Sequence, residues 1–197
     1  AEERAEMKAY TKLADAFTPM LKLMSSEYCN QLAYDAIQIF GGSGYMKDYP
    51  IERIYRDARI TNIYEGTSQL QVVAAIRHVT TGTCLAQIRE YEAQTYAAEL
   101  GHIHKELVAM REQYEKAVEA VTSVGNNDYI DFHARRLVEM AAHIVIGYLL
   151  LRQAGQAEDY RNSAEIYAKY GEAQNAAAAE YIAGSSVDDL DLMTAVQ

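Results

Sequence analysis

The sequence predicts an all-α protein: a helical bundle followed by a second, antiparallel one. Three observations carry that expectation. Only 2 prolines and 11 glycines punctuate 197 residues, which favours long helices. In the second half, apolar residues advance by three or four positions over long stretches, as from Ile103 to Val124. No segment alternates apolar and polar residues as a half-buried strand would.

The elements come in order. Glu2 to Phe17 reads as a helix stopped at Thr18-Pro19. Thr is a good N-cap and Pro suits the first helical position, so a second helix is expected to begin there. Leu23, Leu32, Ala36 and Ile39 carry it to Phe40, where Gly41-Gly42 supplies a left-handed cap. Gly41 to Gly66 is loop-rich around a short amphipathic piece, PIERIYRDARI. The next helix opens at Thr67-Ser68, runs to about Val79 and closes at Thr80-Thr81-Gly82. Residues 83–99 and 101–124 read as two further helices, the latter with one stripe of Ile103, Leu107, Met110, Tyr114, Val118, Val121 and Val124. Gly125-Asn126-Asn127-Asp128 breaks the chain, and Asp128 is expected to cap the succeeding helix. Ile130, Ala134, Leu137, Ala141, Ile144, Tyr148 and Leu151 line that helix. Its HIVIGYLLL run is apolar nearly all round and should be the most buried. After Gly155 an Ala- and Tyr-rich helix runs to about Ala183, then Gly184-Ser185-Ser186 and an acidic tail. Two domains are expected, residues 1–82 with the glycine-rich insert and 83–197 as a plain helical extension.

Composition excludes several classes. Half the residues are hydrophobic and 23% charged, enough for a sizeable core. A net charge of -10 argues against nucleic acid or an anionic membrane as partner, since either needs clustered Lys and Arg. Cys29 and Cys84 cannot form a disulfide scaffold; they are expected as buried free thiols of a reduced, cytoplasmic protein. No apolar run approaches the ~20 residues of a membrane span. The opening AEERAEMKAY, without an initiator Met, reads as part of a longer chain.

Chemistry-bearing residues concentrate between Gln38 and Gln71. QIFGGSGY places three glycines just past a helix end, where bare backbone N–H groups can approach a phosphate, although an ordinary glycine cap explains them more simply. It is no dinucleotide fingerprint, because no strand precedes it. In IYEGTSQ, Glu65 precedes a glycine and a helix N-terminus, a setting for a base beside backbone donors, or merely a surface glutamate before a cap. Arg53 and Asp57 lie one turn apart, a spacing usually structural. His102 and His104 point to different faces and cannot share a metal; His78, His133 and His143 are isolated, so no metal site is expected. The 16 tyrosines are expected at helix contacts with hydroxyls at the edge.

The continuous string QIFGGSGYMKDYPIERIYRDARITNIYEGTSQLQ resembles the C-terminal helical domain of the acyl-CoA dehydrogenase family in order and spacing, over about residues 1–82. The extension from residue 83 resembles the extra C-terminal helices of larger bacterial members. The resemblance implies that Glu65 is the catalytic base, taking the proton α to a thioester carbonyl while the β-hydrogen leaves as hydride to FAD. It implies that the N–H of Gly66 donates to the developing enolate oxygen and that Tyr64 lines the acyl pocket. It implies that Gln38, Ile39, Phe40, Gly41 and Gly42 hold the FAD of a neighbouring subunit, that Thr67, Ser68 and Gln69 touch flavin, and that Arg77 touches the acyl-CoA. Electrons would pass to an electron-transfer flavoprotein, within a homo-oligomer. The middle β-domain and N-terminal helices that complete the family's pocket are not in this sequence, so the isolated chain is expected to be inactive. An acyl-CoA oxidase relative would use the same glutamate. A nucleic-acid-binding flavoprotein relative would need a basic face that the composition does not provide, and a non-catalytic helical assembly module would need no Glu65 chemistry at all.

Overall fold

A computed structural model describes residues 2–194. Its order is α1 (Glu2–Phe40), α2 (Gly42–Tyr45), α3 (Pro50–Ile60), α4 (Ser68–Thr80), α5 (Thr83–Glu92), α6 (Gly101–Thr122), α7 (Asn127–Gln156), α8 (Arg161–Ala183) and α9 (Asp189–Thr194). Single 3-10 turns sit at Ala98–Leu100 and Glu158–Tyr160. No strand occurs among the described residues, so the all-α expectation holds.

The break expected at Thr18-Pro19 does not occur: α1 runs 39 residues with Pro19 inside it. An interior proline costs about 3 kcal/mol through a lost hydrogen bond and a clash with the carbonyl four residues back. Here Ala16, Pro19, Met20, Leu23 and Met24 are all buried, and α1 packs along α4, so burial outweighs the local penalty. Gly41 ends α1 at φ 62°, ψ -145°, which is not a left-handed helical cap, and the one-turn α2 succeeds it where a loop is expected. On α3 the ion pair formed is Glu52–Arg56 at 3.8 Å rather than Arg53–Asp57. The helix expected over 83–99 stops at Glu92; the Tyr96 hydroxyl donates to the Tyr91 carbonyl at 2.7 Å and folds the connection back.

α6, α7 and α8 pack mutually as a three-helix bundle, with α4 and α5 laid against α7. The stripe on α6 buries Ile103, Leu107, Met110, Tyr114 and Val121, with Ala117, while Val124 is exposed. Asn126, not Asp128, caps α7: its side-chain oxygen accepts from the N–H groups of Asp128 at 2.9 Å and Tyr129 at 3.2 Å. As expected, α7 is the most buried helix. By length and hydropathy it could cross a membrane, yet 67% of its apolar window lies inside the protein, as befits a core helix. One hydrophobic cluster runs from Ala16 on α1 to Ile182 on α8, continuous across Gly82.

Two expectations about buried groups need correction. Cys84 is buried, its thiol pushed up to about 12 by desolvation, but Cys29 is exposed on α1. The hydroxyls of Tyr114 and Tyr148 are not at an edge; both are buried without a hydrogen-bond partner.

His133 is likewise fully buried, with neither ring nitrogen hydrogen-bonded. The rings of Tyr129 and Phe132 enclose it at 4.6 and 4.7 Å. Desolvation, with nearby Arg136, pushes the imidazole down to about 4 from its ordinary 6.5. The folded chain therefore holds His133 neutral where the unfolded chain takes a proton. Its contribution to stability is complete above pH 6.5 and is lost as pH falls through about 4, by about 3 kcal/mol in all. His133→Phe should be at least as stable at pH 7, because the unpaired nitrogens are gone, and should lose less melting temperature between pH 7 and 4 than the parent. Circular-dichroism melts across that range check it; equal acid losses would refute it.

Candidate active site

Between α3 and α4 the chain makes a tight turn, Thr61 to Thr67, seated on one face of α1. Asn30 Nδ2 lies within hydrogen-bond distance of Asn62 Oδ1 (2.6 Å), Ala58 O (2.9 Å) and Ser26 O (2.8 Å). Lys22 Nζ donates to the Gly66 carbonyl at 2.7 Å, and the Ser68 hydroxyl donates to Glu27 Oε1 at 2.7 Å. From α4, Gln71 Nε2 reaches back to the carbonyls of Glu65 (3.2 Å) and Gly66 (3.3 Å). Thr67 caps α4, its hydroxyl oxygen accepting from the Leu70 N–H at 3.3 Å. Lys22, Glu27 and Asn30 thus grip the turn from below, and Gln71 closes it from above.

Held this way, Glu65 adopts φ 50°, alone among the described non-glycine residues in having a positive φ. Such a conformation costs a residue with a Cβ about 1–2 kcal/mol and persists only where its surroundings enforce it. Gly66 comes next at φ 91°, a backbone conformation that residues with a Cβ rarely adopt, so the position favours glycine. Among the described residues, neither the Glu65 nor the Gly66 N–H donates a hydrogen bond within the chain. Two consecutive free N–H groups in such a turn make a concavity suited to negative charge. The Glu65 side chain itself is exposed.

The other candidate residues fall around this turn or away from it. Tyr64 is exposed, with the Lys22 ammonium 5.9 Å from its ring. Thr67 and Gln69 are exposed at the start of α4; Ser68 is partly covered by Glu27, its N–H donating to Asn62 O at 3.1 Å. Arg77 lies farther along α4, 3.8 Å from Asp15 and donating to His78 Nε2 at 3.0 Å. It borders an open cleft of about 510 Å³ between α1 and α4, which Gln71 joins to the turn. Gln38, Ile39, Phe40, Gly41 and Gly42 are exposed at the end of α1, Ile39 to 84%. Gln38 is eight residues beyond Asn30, about 12 Å along the helix, so one chain keeps this cluster apart from the Glu65 turn. Of the paired histidines, His102 faces Glu165 at 3.8 Å and His104 meets the Glu92 carbonyl at 3.0 Å. No group of three His, Cys, Asp or Glu among the described residues could hold a metal.

Known proteins resemble this chain in sequence and in fold. A family model described as "Acyl-CoA dehydrogenase C terminal" matches residues 80–190, and one described as "Acyl-CoA dehydrogenase, C-terminal domain" matches residues 1–80. The chain belongs to the acyl-CoA dehydrogenase family. Over 72 residues it is 49% identical to the cyclohexane-1-carbonyl-CoA dehydrogenase of Geobacter metallireducens, covering 36% of this chain and 18% of that protein. Over 52 residues it is 56% identical to the caffeyl-CoA reductase–Etf complex subunit CarC of Acetobacterium woodii, covering 26% and 14%. The crystal structure of an acyl-CoA dehydrogenase complexed with FAD from Bacillus anthracis shares the fold over 90% of this chain and 34% of that one, with a TM-score of 0.63 and 22% identity. The chain spans 14–22% of the length of the curated relatives it matches.

Within this member of the family, the supports of the turn are what the sequence did not yield. Lys22, Glu27 and Asn30 form a polar stripe on α1 beside buried Leu23 and Ala33, and that spacing is readable. Their partners lie 28 to 44 residues away, which no local pattern reveals.

Proposed function

We propose that the chain is the C-terminal part of an FAD-dependent acyl-CoA dehydrogenase, with Glu65 as the base that removes the α-proton of an acyl-CoA thioester. The observation that carries the reading is Glu65 itself: a carboxylate held at φ 50° beside two N–H groups that bond to nothing else in the chain. Backbone strain maintained by four surrounding side chains is a cost that packing alone does not require. The α-proton of a thioester is weakly acidic, so its removal needs a carboxylate poised next to donors already aimed at the developing enolate oxygen. The Gly66 N–H is such a donor, its peptide plane fixed by the Gln71 bond to the Glu65 carbonyl. Tyr64 borders the acyl chain, and Arg77, in the cleft beyond Gln71, meets charge on the CoA moiety.

The residues present fit one edge of an FAD site. The α4 N-terminus at Thr67, Ser68 and Gln69 offers the positive end of a helix dipole, and exposed Ile39 and Phe40 beside uncluttered Gly41 and Gly42 offer an open apolar surface. FAD, when bound, accepts the β-hydrogen as hydride. The Gln38–Gly42 cluster is assigned to the FAD of a neighbouring subunit in a cytoplasmic homo-oligomer, and electrons leave to an electron-transfer flavoprotein. The kinship with an Etf-complex subunit supports that partner.

The test is anaerobic mixing of the whole enzyme with saturated acyl-CoA thioesters of graded length. The expected result is flavin bleaching, an enoyl-CoA product and reoxidation by electron-transfer flavoprotein, with residues 1–197 alone neither retaining FAD nor turning over. No bleaching with any thioester would overturn the reading, and rapid reoxidation by oxygen would make the enzyme an oxidase.

A further inference from the structure

The Glu65 turn is tied not only to α1 but, through α1, to the helices beyond Gly82. Glu27 Oε1 accepts the Ser68 hydroxyl at 2.7 Å and also lies 3.4 Å from Arg135 Nη2 on α7. The same guanidinium donates through Nε to Glu139 Oε1 at 2.8 Å. On the next residue of α1, the hydroxyls of Tyr28 and Tyr167 of α8 meet at 3.0 Å. We propose that Arg135 is a positioning residue for the Glu65 turn, acting through Glu27 and Ser68. The proposal rests on the reading of Glu65 as the base.

The reasons are charge and geometry. Arg135 stands between two carboxylates, Glu27 and Glu139, and its positive charge lies against both. Remove it and the two anions face each other without a cation, so Glu27 turns toward water and releases Ser68. Ser68 is the first residue of α4, three positions after Glu65, and its N–H is the link that bonds to Asn62 across the turn. The α4 start then loosens on the side where Glu65 depends on it for its left-handed backbone. Arg135 and Glu27 are partly exposed, which keeps the effect moderate.

The experiment compares Arg135→Met, Arg135→Lys and Glu65→Gln in the whole enzyme, read by steady-state kinetics and by hydrogen exchange of the 62–70 segment. Arg135→Met should lower kcat about fivefold with KM within about twofold, and speed exchange of that segment about fivefold. Arg135→Lys, which keeps the cation, should restore both to within about twofold of the parent. Should Arg135→Met fail to fold, Glu27→Gln, which loses the charge at constant size, should give the same exchange signature. Unchanged exchange at 62–70, or a lysine variant as impaired as methionine, overturns the proposal. Glu65→Gln with undiminished turnover overturns the underlying reading instead, and the exchange data still report whether Arg135 holds the turn.

Discussion

Glu65→Gln in the whole enzyme should lower kcat by about 10³-fold while FAD stays bound and the melting temperature stays within about 1 °C. The substitution keeps the side chain's size and its reach into the site but replaces the basic carboxylate with a neutral amide that does not take up a proton. Glutamine tolerates φ 50° no better and no worse than glutamate, so the turn and its bonds to Lys22 and Gln71 persist. Anaerobic stopped-flow mixing with acyl-CoA isolates the step: the flavin should remain oxidised over times in which the parent bleaches fully. Flavin reduction at the parental rate would remove Glu65 from the chemistry. Glu65→Gly makes a complementary measurement, because it should be as inactive yet more stable by about 1 kcal/mol, the strain being relieved. A less stable glycine variant would mean that the positive φ carries no strain.

The second large effect lies in the bundle. Leu107 on α6 is fully buried, and its Cδ2 reaches into the space that a Cβ of Gly147 on α7 would need. The leucine fills a notch that exists because α7 has no side chain there. Leu107→Ala should cost about 3 kcal/mol, since Gly147 has nothing to offer the resulting cavity. For a chain of this size that lowers the melting temperature by about 6–12 °C. Differential scanning calorimetry checks it, and a drop under about 2 °C would mean that the helices close the gap.

The helical stripes were legible because they are local: Ile103 to Val121 and Ala134 to Leu151 obey one period, and the structure buries them. The stop at Thr18-Pro19 misled because helix-boundary signals say nothing of the face that α4 presents to α1, where Val73 and Ala74 line one cleft with Thr18 and Pro19. At the site, Gly66-Thr67 announced a turn and a cap, both present. The φ of Glu65 did not announce itself, because it is imposed by side chains of α1 and by Gln71, partners remote in sequence or visible only once the turn has closed. Exposed Cys29 failed for a related reason: α1 is long enough that one of its flanks stays wet while the other meets five helices.

The apolar interior that passes unbroken beneath Gly82 makes the molecule indivisible in a practical sense. Severing the polypeptide there would part Val79 from Leu85, Tyr114 and Val118, which line one hollow with it, and leave apolar surface bare on both pieces. Co-expressed halves would seek reunion, and either alone would precipitate or recruit whatever greasy neighbour it met.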